Sequence, residues 1–170
     1  MRLLNEATAA VLAYGFKKQD EQTVLVFDLG GGTLDISIVD LGEDTYQVKC
    51  IEGDSNLGGD DFDQVIVDYI LDQVHQKYGI AIELDLVQKM MLKEAAETAK
   101  IELSSSLSTS IHIPGFLNIG QSYHDLDVSI DRQTFERLSG NLFHRAIILL
   151  KKALNSASLQ ASDLNALLLL

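Results

Sequence analysis

Residues 24–35 read VLVFDLGGGTLD. A β-branched, apolar run reaches Asp28, passes through Gly30, Gly31, Gly32 and Thr33, and resumes as LDISIVDL. This pattern predicts two strands joined by a turn cleared of side chains. Successive glycines let backbone amides converge on one point, a nest suited to phosphate or another anion. Asp28, at the end of the first strand, is placed to face a hydrated metal ion rather than the phosphate. Thr33 can add a hydroxyl contact. A plain hairpin turn is the competing reading, because glycine pairs punctuate hairpins. Two-residue turns do not need three consecutive glycines flanked by acids, which favours phosphate binding.

Working outward, the chain has 170 residues, enough for one ordinary domain or two small lobes. It is 46% hydrophobic with a single proline, which argues for compact α/β structure over disorder. Thirteen basic and 25 acidic residues leave a net charge of -12. That balance speaks against nucleic acid and anionic membranes, both of which favour basic surfaces. A polyphosphate could still bind through backbone donors and a bridging Mg²⁺. The single cysteine, Cys50, excludes an internal disulfide and reads as a small hydrophobe on a strand in a reducing compartment. No stretch is long and apolar enough to span a bilayer, and no signal peptide opens the chain, so a cytoplasmic location is expected.

The periodicity predicts the remaining organisation. Leu3, Leu4, Thr8, Val11 and Leu12 form a helical stripe without a preceding cap, stopped at Gly15. Strands are expected over 23–28, 34–40 and 46–52, the last two joined by an acidic turn at 42–44. Gly58 and Gly59 precede Asp60, Asp61 and Asp63, and an amphipathic helix follows to near Gly79. A second helix spans 86–103. Short strands over 109–113 and 125–130 are joined by Pro114-Gly115, and Asp131 caps one long helix running through Leu154. Residues 166–170, ALLLL, read as a strand buried on both faces. With the uncapped opening helix, that ending suggests a piece of a longer chain.

Four segments occur together: NEATAAVLAYG at 5–15, VFDLGGGTLDISIVD at 26–40, GDSNLGGDDFD at 53–63 and LKEAAETAKIELSS at 92–105. In order and spacing they resemble the seventy-kilodalton heat-shock chaperones, the DnaK class, over almost the whole chain. The resemblance implies an α/β fold: half of an actin-like, ribonuclease H-like ATPase, with a mixed β-sheet and a smaller α+β subdomain. Residues 1–21 would be a crossover helix and loop from the first lobe. Residues 22–57 and 131–170 would form the base of the second lobe, and 58–130 its upper subdomain.

The same resemblance implies roles and the cofactors ATP/ADP and Mg. Asp28 would hold Mg²⁺ through water, and the amides of Gly30, Gly31 and Gly32 would face the β- and γ-phosphates, with the Thr33 hydroxyl close by. Glu6 matches an acid near the metal and the attacking water. Gly58, Gly59 and Asp60 sit at a helix N-terminus, where the first-turn amides and the dipole favour phosphate. Asp61 and Asp63 share that motif with less defined roles. Glu97 and Lys100 would bind the ribose hydroxyls, and Ile101 and Ser104 the adenine.

Read singly, these residues have ordinary explanations. Glu97 and Lys100 could be an exposed helical ion pair, worth a few tenths of a kcal/mol. Asp60, Asp61 and Asp63 could simply complement the helix dipole. His75, His112, His124 and His144 lack metal spacing. The chain also departs from the family pattern. Ala7 stands where proline is common, and Ile101 where many relatives place arginine, a bacterial-type feature. The first-lobe phosphate loop, its lysine and a later adenosine motif are absent, so negligible turnover is expected from this chain alone. The parent's ATP hydrolysis would gate unfolded-peptide binding in an absent domain. The implied partners are a nucleotide exchange factor and a J-domain co-chaperone, with no nucleic acid and no membrane. The alternative is a non-catalytic docking module for an exchange factor. A sugar kinase or actin-like filament protein would share the loop but not LKEAAETAKIELSS.

Overall fold

The apolar run before the glycines forms β1 (Gln22–Leu29), paired antiparallel to β2 (Leu34–Leu41), which pairs with β3 (Tyr46–Asp54). These are features of a computed structural model that describes residues 4–15, 21–42, 45–79, 81–119 and 122–170. The chain divides into two compact units, Met1–Gly59 with Leu142–Leu170, and Asp60–Asn141. The expected acidic turn at 42–44 falls partly, and Leu3 wholly, outside the described residues.

In the first unit, β6 (Ala166–Leu169) lies parallel to β1 and completes a mixed sheet of order β3-β2-β1-β6. Helix α1 (Glu6–Ala13) packs Ala7 and Val11 against Val24, Val26, Val39 and Leu168. Leu25, Ile36 and Ile38 alternate with that set and are equally buried. Each such side chain contributes about 1.5–3 kcal/mol relative to exposure. Helix α5 (Gly140–Ser156) reaches β3 through Lys152 Nζ, 2.6 Å from Glu52, and Ser156, whose hydroxyl donates to Glu52 at 2.9 Å. Cys50 is partly buried on β3, and burial pushes its thiol pKa up, with Glu52 adding to the effect.

The second unit contains nearly all of α2 (Gly59–Tyr78), α3 (Leu86–Leu103), the antiparallel pair β4 (Ser108–Ile119) and β5 (Ser122–Asp131), and α4 (Arg132–Leu138). Its core joins Ile66 and Ile70 of α2 to Leu92 and Ala96 of α3 and to Ile111 and Leu126 of the sheet. A capping box fixes the start of α3: Asp85 accepts from the Gln88 amide, and the Gln88 side chain accepts from the Asp85 amide.

Four expectations are corrected. Helix α1 does have a cap, since the Asn5 side chain accepts from the Ala7 amide at 3.0 Å, and Leu4 and Leu12 are exposed rather than part of its buried stripe. Pro114-Gly115 does not join two strands. It lies inside β4 at a register shift between Ile113 and Leu117, where Gly115 has φ +61° and donates to Asp125. A bulge accommodates both a missing donor and a left-handed residue without ending the strand. The single long helix is two helices broken at Ser139, whose hydroxyl donates to the Phe135 carbonyl at 2.6 Å just before Gly140. Back-bonding by the hydroxyl and the low helix propensity of glycine both favour a break there. Finally, β6 is an edge strand among the described residues, with Leu168 buried and Leu167 and Leu169 exposed. A run of identical residues carries no alternation, so the buried face is set by pairing alone.

Candidate functional site

The strands stop pairing at Leu29 and Leu34, leaving residues 30–33 as the connection. The Gly30 amide donates to the Thr33 carbonyl at 2.9 Å and closes the loop. Among the described residues, the amides of Gly31, Gly32 and Thr33 have no backbone partner, and all three residues are exposed. The second glycine pair packs onto this loop. Gly59 donates to the Gly30 carbonyl at 2.9 Å. A Cβ on Gly58 would come within 2.4 Å of the Gly31 oxygen and 2.5 Å of the Gly32 nitrogen. Only glycine permits that approach, which explains why GG recurs 26 residues after the loop (from Gly32 to Gly58).

The turn leading into Gly58 is braced. Asp54 accepts from the Asn56 amide at 3.0 Å and from Arg145 at 2.6 Å. The Asn56 amide first, and Arg145 second, hold the Asp54 carboxyl below the usual carboxylate range. Leu57 is buried and anchors the segment from within. The result is an exposed glycine loop backed by a second side-chain-free segment.

Asp28 lies beside this loop at the end of β1, directly across from Asp35 on β2. Both aspartates and Glu6, the first residue of α1, line a cleft of 210 Å³ together with Asn5, Ser37 and Ile51. Asn5 therefore does two things: it caps α1 and brings Glu6 to the strand end. Among the described residues, no three His, Cys, Asp or Glu side chains converge closely enough to hold a bare metal ion. The acids around the cleft instead suit a cation that keeps its water shell, as Mg²⁺ does. Asp35 was not singled out from the sequence. A Cβ on Gly53 would lie 2.7 Å from Asp35 Oδ1, so the opposite strand leaves room for this carboxylate. The available signal was positional: in antiparallel register, the aspartate closing the motif must face the one before the glycines.

The other unit carries the remaining residues. Glu97, Lys100 and Ile101 of α3 and its C-cap Ser104 fall at helical spacing on one face, and all but the half-buried Lys100 are exposed. Ile101, at 61% exposure, is a large apolar side chain left open on that face. Lys100 Nζ lies 2.6 Å from the buried Asp63, and Lys93 Nζ lies 3.1 Å from the exposed Asp60. Lysines of α3 thus meet both aspartates, a pairing between helices that the sequence did not suggest. Of the histidines, His112 pairs with Asp127 across the sheet at 2.6 Å.

Among the described residues, no helix is long and apolar enough to cross a membrane. A protein-family model described as Hsp70 protein matches residues 1–170, the whole of the chain.

Proposed function

Because the chain belongs to the Hsp70 protein family, whose members are chaperones with an actin-like ATPase fold and bind ATP or ADP with Mg²⁺, we propose that it contributes half of such a nucleotide site. The amides of Gly31, Gly32 and Thr33 receive the β- and γ-phosphates, and the start of α2 at Gly59, whose own amide is held by the Gly30 carbonyl, adds the favourable end of the helix dipole. The observation that carries this reading is the glycine-on-glycine packing of Gly58 against Gly31 and Gly32. A turn with a purely structural role has no need for two side-chain-free segments pressed together beside unpaired amides.

In this reading Asp28 orients the water shell of Mg²⁺, Glu6 holds the attacking water, and Thr33 places its hydroxyl near the terminal phosphate. Bound Mg²⁺ would neutralise charge on the phosphate oxygens. Glu97 and Lys100 take the ribose, while Ile101 and Ser104 border the adenine. Residues 1–21 act as crossover, 22–57 and 131–170 as the base, and 58–130 as the upper subdomain. Turnover by this chain alone is negligible, because phosphoryl transfer depends on positioned charges from both sides of the nucleotide. The site works in the cytoplasm, with an exchange factor and a J-domain protein as partners.

Calorimetric titration of Mg²⁺-ADP into the folded chain tests the reading. Binding that is lost in Thr33→Ala and Glu97→Ala supports it. Absence of binding at millimolar nucleotide would remove the half-site and leave the docking-module alternative.

A further inference from the structure

The two-stranded sheet of the second unit has two outer edges, and they differ. Along β5, the Tyr69 hydroxyl donates to the Ser129 carbonyl at 3.1 Å, and a cleft of 160 Å³ there is lined by Lys77 and Tyr78 as well as the strand. Along β4, a cleft of 310 Å³ is lined by every residue from Thr109 to Ile113, facing Ala95 and Ala99 of α3. Successive residues of a strand point to opposite faces. A lining made of five in succession therefore runs along the strand's edge. Among the described residues, this stretch of β4 pairs with β5 alone. Such an edge is a template for another extended chain.

The charge of the cleft selects the occupant. Glu94 and Glu102 line it, and its one basic side chain, His112, is already paired with Asp127 at 2.6 Å. Glu102 also engages the Thr109 hydroxyl, which holds its carboxylate at the strand. Glu94 and Glu102 are eight residues apart on one helix, or about 12 Å along its axis. In an extended chain, residues i and i+4 share a side and lie roughly 13 Å apart.

We propose that the outer edge of β4 receives an extended basic peptide. Lys or Arg side chains at i and i+4 meet Glu94 and Glu102, and an apolar side chain at i+2 rests on Ala95 and Ala99. Backbone pairing with β4 supplies the remaining contacts, and the net charge of -12 favours encounter with a basic segment. This inference is independent of the nucleotide reading, since neither Glu94 nor Glu102 belongs to that site.

Fluorescence anisotropy of a labelled peptide GKTVTKG, titrated with the whole chain, tests it. The control GKTKVTG keeps the composition but moves the second lysine to i+2. The expected result is preferential binding of GKTVTKG, weakened at least about tenfold by Glu94→Lys. Glu94 is exposed, so this variant should keep its fold, as checked by circular dichroism. N-methylation of alternate peptide amides should abolish binding in one register and spare it in the other. Equal binding of the two peptides, indifference to Glu94→Lys, or no binding at millimolar chain would overturn the proposal. So would a dimer in sedimentation that excess peptide fails to dissociate, because the edge would then belong to a second copy.

Discussion

Lys100 Nζ stands 2.6 Å from Oδ1 of Asp63, an aspartate of α2 that is only 2% exposed. Read from the sequence, Lys100 is a ligand-facing residue on α3. In the fold it also neutralises a carboxylate that has been taken out of water, and so ties α3 to α2.

That pairing predicts a large structural cost for Lys100→Ala. Removing one partner of a buried ion pair leaves the other charge uncompensated, at roughly 3–5 kcal/mol. The partial exposure of Lys100 places the expected loss at about 3 kcal/mol in urea denaturation. Replacing both partners with apolar residues, Asp63→Leu with Lys100→Met, should recover most of it. A loss below about 1 kcal/mol for Lys100→Ala would show that Asp63 is solvated. Glu97→Ala is therefore the cleaner probe of the proposed ribose contact.

Gly58 and Gly31 should respond in opposite ways. At Gly58 an added Cβ meets backbone at 2.4 Å, so Gly58→Ala should cost roughly 1–3 kcal/mol through displacement of the loop. At Gly31 a Cβ meets nothing within 4 Å, so Gly31→Ala should change stability by no more than about 0.5 kcal/mol. It should nonetheless weaken Mg²⁺-ADP binding by intruding on the amide nest. Equal stability losses would contradict the packing of Gly58 against the loop.

Asp54 offers a pH test. Its carboxyl is held below its ordinary 3.8 by the Asn56 amide first and Arg145 second. A lowered acid adds stability above its unfolded value, and that stability is lost as pH falls through the folded value. Arg145→Ala should raise the Asp54 pKa only part of the way, because the Asn56 amide remains. Carboxyl-carbon NMR titration reads this directly, and a complete return to the ordinary value would reverse the order of the two causes.

His112 should show the opposite sign. Its bond to Asp127 raises its pKa above the ordinary 6.5, with the burial of the ring opposing. The pairing thus stabilises the fold fully below pH 6.5 and fades as pH rises through the raised value. In proton NMR, Asp127→Asn should lower the His112 midpoint. An unchanged midpoint would mean that the pair does not persist in solution.

Much of this architecture was legible before the structure. The strands over 22–54 follow from β-branched runs, and α3 begins and ends at the residues expected from its periodicity and its polar flanks. The glycine loop was readable because three glycines have few other uses. Asp35 escaped notice because its significance depends on strand register, which places it opposite Asp28 and over Gly53. The break at Ser139 was hidden because a serine-glycine step inside a helical pattern is often tolerated, and its outcome depends on where the hydroxyl finds a carbonyl.

The amino-acid sequence by itself determined the hairpin and the family, and it nominated the residues proposed to meet phosphate, metal and ribose. These depend on local backbone freedom and on spacing along one strand or one helix, which the order of residues encodes directly. Only the tertiary structure decided that Gly58 seats against Gly31, that Lys100 pairs with Asp63, and that just one leucine of β6 is buried. Each of these is a contact between segments distant along the chain. Such contacts are set by packing and strand pairing, and no local pattern of residues specifies them.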